Sequence, residues 1–156
     1  MSTNHWIDIL KQNNKLRTES ELRNFDEALR NLAKQPVDAR LLPDLFSIFD
    51  DTAEHLPLMW GLVHYIESFE TKRQLVALIQ ATPMLLSRAR TWSRILYTRV
   101  LNGDTTRNLL RTIFLSLPSE DQDFVRLALE NVIAGEDAKN EMKRLKLRLE
   151  AKFVLS

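Results

Sequence analysis

Residues 57–69 read Pro57-Leu58-Met59-Trp60-Gly61-Leu62-Val63-His64-Tyr65-Ile66-Glu67-Ser68-Phe69. Leu58, Leu62, Ile66 and Phe69 recur at helical spacing, and Trp60, His64 and Glu67 fall at i, i+4 and i+7 on the other side. The stretch is therefore read as one helix with a greasy face and a mixed face. The greasy face is enough to bury the helix against neighbours and leaves the mixed stripe free or half-buried.

The rest of the chain repeats this grammar. Three glycines and five prolines in 156 residues leave little material for hairpins, and no Asn-Gly or Asp-Gly turn separates alternating apolar runs. Thr18 to Glu21 and Ser119 to Gln122 fit the capping box, Thr82 before Pro83 reads as a helix start, and Gly103 and Gly135 read as left-handed stops. These signals place helices near 4–13, 19–34, 39–50, 55–69, 72–81, 84–102, 105–117, 120–134 and 137–152. A faint period of 34 residues links Leu41, Leu42 and Leu45 to Leu75, Val76 and Ile79, and these to Leu109, Leu110 and Ile113. The expected fold is all-α, antiparallel helical hairpins stacked as a short HEAT-like α-solenoid, with an irregular helical bundle as the alternative. At this length a single domain over residues 1–156 is expected.

Composition removes several function classes. The longest apolar run, Leu56 to Ile66, contains His64 and is too short to cross a bilayer. The start, Met1-Ser2-Thr3-Asn4-His5-Trp6-Ile7-Asp8, has neither a basic leader nor an apolar signal core, so a cytoplasmic protein is expected. No cysteine is present, which excludes disulfides, thiolate chemistry and cysteine zinc sites. Gly61, Gly103 and Gly135 are isolated, so no phosphate loop exists. Asp51 and His55 form an i, i+4 pair that has the spacing to share a metal, but acids between two helices are more simply caps and dipole partners. No catalytic residue, no cofactor and no metal is assigned, and no enzyme is expected.

Two regions remain ambiguous. Arg88, Arg90, Arg94 and Arg99 interleave with Trp92 and Tyr97, residue types that grip phosphates and stack bases, yet the net charge is only +1 and a nucleic-acid partner is not expected. The tail helix from Ala138 to Phe153 sets Met142, Leu145, Leu149 and Phe153 on one line, with Lys139, Lys143, Arg144, Lys146, Arg148 and Lys152 around it. Such a helix can lie on an anionic membrane, or close the fold with its apolar line in the core and its lysines in water; the second is expected, and no membrane partner.

Charge is segregated along the chain. Residues 38–70 carry Asp38, Asp44, Asp50, Asp51, Glu54, Glu67 and Glu70 against Arg40 alone, a net −6; residues 71–111 carry eight bases against Asp104 alone, a net +7. The two stretches either neutralise one another in the fold or present a charged patch to a partner.

The segment from Glu54 to Phe69, with Leu41, Leu42, Pro43, Asp44 and Leu45 before it and acids at Asp50 and Asp51, resembles the signature stretch of immunity proteins from bacterial polymorphic toxin systems, the immunity protein 30 family. The resemblance covers residues 38–80 and is most specific between Trp60-Gly61 and Glu67-Ser68-Phe69. It implies a small protein that binds the toxic C-terminal domain of a cognate effector, of the contact-dependent growth inhibition type, and blocks it by affinity. Many such toxins are nucleases with a basic groove, which an acidic surface can occupy. The expected toxin-binding residues are Asp44, Asp50, Asp51, Glu54, Glu67 and Glu70, with Trp60 and His64 as aromatic anchors if their stripe is exposed. The alternative for Trp60 and Glu67 is structural, a tryptophan wedged between helices and a glutamate tied to a neighbouring arginine. The alternative function is a general helical protein–protein adaptor.

Overall fold

A computed structural model describes residues 2–136 and 140–156. Among the described residues the chain is all-α, with nine α-helices and no strand. Its contacts divide it into two compact units, a first ending at Ala81 and a second from Thr82 to Ser156, so the division falls inside a helix.

The first unit opens with α1 (Thr3–Gln12) and α2 (Glu19–Ala33), which pack on each other. The expected capping box starts α2: the Thr18 hydroxyl accepts from the Glu21 amide at 3.1 Å, and the Glu21 carboxylate accepts from the Thr18 amide at 3.2 Å. Between them Leu16 adopts a left-handed backbone (φ 52°) with its side chain buried. That conformation is strained for a leucine and is held by its burial and by the turn from Asn13.

A single 3-10 turn, Ala39–Leu41, leads into the short α3 (Leu42–Phe46). The expected helix over 39–50 therefore ends early. Asp50 spends its carboxylate on the Thr52 amide and hydroxyl, a local turn that competes with helix. Next, α4 (Leu56–Glu67) buries Met59, Leu62, Val63 and Ile66 and packs on α2 and α3. It meets α2 closely at Gly61, where a Cβ would lie 3.2 Å from the Leu29 Cδ2.

α5 (Thr71–Arg88) corrects the expected break at Thr82-Pro83: the helix runs through Pro83 and stops at Ala89. Pro83 is exposed, so its ring needs no room in the core, and the missing amide costs one hydrogen bond without ending the helix. Thr82 is fully buried and shares a 2.7 Å hydrogen bond with the Tyr97 hydroxyl.

The second unit continues with α6 (Arg90–Asn102), α7 (Asp104–Leu115), α8 (Ser119–Ala134) and α9 (Glu141–Leu155). α6 packs on α8 and α7 on α9, while α6–α7 and α8–α9 also touch, so two successive helix pairs lie one against the other. The 34-residue register does not translate into equivalent positions: Leu42 and Leu110 are buried where Val76 is exposed. Nor do Gly103 and Gly135 turn left-handed. Both end helices with negative φ, and Gly103 leaves room for the Thr106 hydroxyl, which would lie 2.6 Å from an added Cβ and donates to the Val100 carbonyl. The second capping box is also absent. Ser119 lies inside α8, no side chain caps that helix, and the Gln122 amide donates instead to the Phe114 carbonyl at 2.9 Å.

The tail helix overturns one expectation outright. α9 buries Leu147, Glu150, Ala151 and Val154, and its line of Met142, Leu145, Leu149 and Phe153 faces outward. Both sides carry apolar residues, and the side with the compact Ala151 and Val154 is the one that fits against its neighbours. The start of the expected 137–152 helix, Lys139 included, lies outside the described residues.

Candidate functional site

The eight expected residues all fall in the first unit, in two groups. The first lies on α3 and the segment after it. Asp44 lies in the first turn of α3 and receives Lys11 Nζ from α1 at 2.8 Å. Asp50 is the anchor of the loop: one carboxylate oxygen accepts from the Thr52 amide at 2.7 Å and hydroxyl at 2.6 Å, and the other pairs with Lys15 Nζ. Partial burial pushes the Asp50 pKa up, but the hydrogen bonds from Lys15 and Thr52 outweigh it and hold the carboxyl below the ordinary aspartate range. Asp51 is exposed. Glu54 is exposed and lies 3.8 Å from Arg17, while its amide donates to the Lys15 carbonyl at 3.0 Å.

Three cations, Lys11, Lys15 and Arg17, thus line up against Asp44, Asp50 and Glu54. The loop after α1 is docked on this segment by backbone too, since the Asn14 side chain donates to the Ile48 carbonyl at 2.9 Å. Sequence reading missed these counter-ions. Partners separated by 33 to 37 positions leave no local pattern: Lys11 comes from α1, and Lys15 and Arg17 flank the left-handed Leu16 in the loop after it.

The second group sits on and after α4. His55, read as one half of a metal pair, is instead the helix cap: its Nδ1 accepts from the Leu58 amide at 3.3 Å. Among the described residues no group of histidine and carboxylate side chains is arranged to hold a metal. Trp60 is half-buried and His64 exposed, with ring centroids 6.2 Å apart, so the stripe lies on the outer side of α4 rather than in its core face. Glu67 is exposed, and Gln74 ties the turn beneath it by donating to the Glu67 and Phe69 carbonyls. Glu70 pairs with Arg73 at 3.5 Å, one instance in which the acidic and basic stretches do neutralise each other. Chemically, the surface offers carboxylates and an aromatic pair, a set suited to binding.

The family model of immunity protein 30 matches residues 12–110, more than half of the chain. The chain belongs to the immunity protein 30 family. The match extends well beyond the signature stretch in both directions, taking in the loop that carries Lys15 and Arg17 as well as α4, α5 and α6 of this immunity protein. Comparison with curated proteins and with solved structures found no match. No helix among the described residues is long and apolar enough to cross a membrane.

Proposed function

We propose that this immunity protein binds the C-terminal toxin domain of a cognate bacterial effector, of the contact-dependent growth inhibition type, in the cytoplasm, and neutralises it by covering a basic nuclease groove. The acids of the 44–54 segment meet the groove, and Trp60 and His64 anchor the contact. No catalytic step is involved; the work is done by affinity. The observation that carries this reading, beside family membership, is that Asp44, Glu54 and Glu70 are paired at the surface with Lys11, Arg17 and Arg73 in solvent-exposed ion pairs. Such pairs contribute about 0–1 kcal/mol each, so a partner's cations can replace Lys11, Arg17 and Arg73 at little cost. Complementary charge speeds encounter, and the half-buried Trp60 supplies the kind of aromatic contact that dominates interface energies.

Co-expression with the toxin domain encoded beside it is the direct test: cells survive if the reading is right, and killing despite soluble immunity protein refutes it. Charge reversal at Asp44, Asp51 and Glu54 tests the surface. Affinity for the toxin domain drops by about tenfold or more, with unchanged helical circular dichroism. Unchanged affinity moves the interface elsewhere.

A further inference from the structure

α9 presents an exposed apolar line, Met142 at 79%, Leu149 at 60%, Leu145 at 50% and Phe153 at 38%, with the Arg111 guanidinium of α7 lying 5.0 Å from the Phe153 ring centroid at its far end. At 100° per residue these four fall within an arc of about 80°, on the side opposite the buried Leu147, Glu150, Ala151 and Val154, and the line runs about 17 Å along the axis. Cations border it on both edges, Lys146 on one side and Arg148 and Lys152 on the other, all exposed. Of the two acids on α9, Glu150 is buried, and only Glu141, in the first turn, reaches the surface. Beside the Arg148 edge a shallow hollow of about 330 Å³ is lined by Glu141, Met142, Arg144, Leu145 and Arg148, room enough for a phosphate headgroup between two arginines.

The charge pattern selects the occupant. A second copy paired face to face would set its own lysine rows against these, and a basic toxin groove would be repelled. A folded acidic protein would have to supply a narrow apolar trough with acids on both rims. A lipid surface needs no such match: acyl chains receive an unbroken apolar line, and lysine and arginine stems reach outward to the phosphates. We propose that α9 lies in the plane of an anionic lipid surface, with Met142, Leu145, Leu149 and Phe153 in the boundary between headgroups and acyl chains and Lys146, Arg148 and Lys152 on lipid phosphates. This is peripheral attachment by a 15-residue helix, separate from a membrane span and independent of the toxin reading. One short helix gives weak, reversible binding that salt weakens.

The test is co-sedimentation of the full chain with vesicles of phosphatidylcholine alone and of equimolar phosphatidylcholine and phosphatidylglycerol. The protein sediments with the mixed vesicles at low salt and not with phosphatidylcholine. Leu145→Glu with Leu149→Glu, and separately Lys146→Glu with Lys152→Glu, lowers the bound fraction by about tenfold or more with unaltered circular dichroism and denaturation midpoint. No binding to the anionic vesicles, equal binding to both, or indifference to both substituted pairs overturns the proposal. So does a dimer in light scattering that the leucine pair abolishes, which would give the face to a second copy. Loss of toxin binding in the same variants would give it to the toxin and equally overturn the lipid assignment.

Discussion

Asp50 holds the segment after α3 through one carboxylate: two hydrogen bonds from Thr52 shape the turn, and the pair with Lys15 attaches it to the loop after α1. Its carboxyl stays ionised to lower pH in the folded chain than in the unfolded one. Its contribution to stability is therefore complete above the ordinary aspartate value of 3.8 and is lost as the pH falls through the depressed folded value. Asp50→Asn should flatten this part of the profile, measured by urea denaturation from about pH 6 down to about pH 3, and an unchanged slope would refute the assignment. A second residue-scale device is buried: Tyr97 is fully enclosed, burial pushes its phenol well above the usual range, and the Thr82 hydroxyl lowers it in part. Thr82→Val leaves that phenol without its partner and should cost about 1–3 kcal/mol, most of it recovered when Tyr97→Phe is added. A denaturation midpoint for each variant decides the matter. None of these side-chain partnerships was legible in the sequence, since Lys15 and Asp50 are 35 positions apart and Thr82 was read as a helix start.

Elements were largely legible, and the departures have physical causes. The Thr18 box forms with both of its hydrogen bonds; the Ser119 box fails because the Gln122 side chain serves the end of α7. Thr18→Ala should therefore lower stability by about 1 kcal/mol and Ser119→Ala should leave it nearly unchanged, a contrast that thermal or urea unfolding can read. Gly61, the glycine of the signature stretch, marks the close approach of α4 to Leu29 on α2. A larger side chain there has to push the two helices apart, so Gly61→Leu should cost about 1–3 kcal/mol, and an unaltered midpoint would show that α2 yields freely. Pro83 misled the reading of α5 because a proline is a start signal only if the preceding residues leave the helix, and buried packing of Leu75, Leu78, Ile79 and Leu85 on both sides of it keeps them in.

For the whole molecule, a formal charge of +1 hides a separation of charge, with Asp51 and Glu54 exposed in the 44–54 segment and an exposed basic edge on α9. If the acids steer the toxin, the association rate should fall by about tenfold from low to physiological salt while dissociation changes little; stopped-flow mixing at several salt concentrations separates the two rates. A salt-independent association rate would sink the steering role. The all-α class and the family were written in the chain, because few glycines, regular apolar spacing and the Trp60 to Phe69 frame are local properties that survive in any register of packing. Burial of α9 was not. With apolar residues on opposite sides of one helix, periodicity leaves the phase undetermined, and the fit of Leu147, Ala151 and Val154 against neighbouring helices selects the inner face. The same holds for the candidate site: the acids could be counted from the sequence, but the cations that accompany them come from α1 and the loop after it, 33 to 37 residues away, and only folding sets those charges side by side.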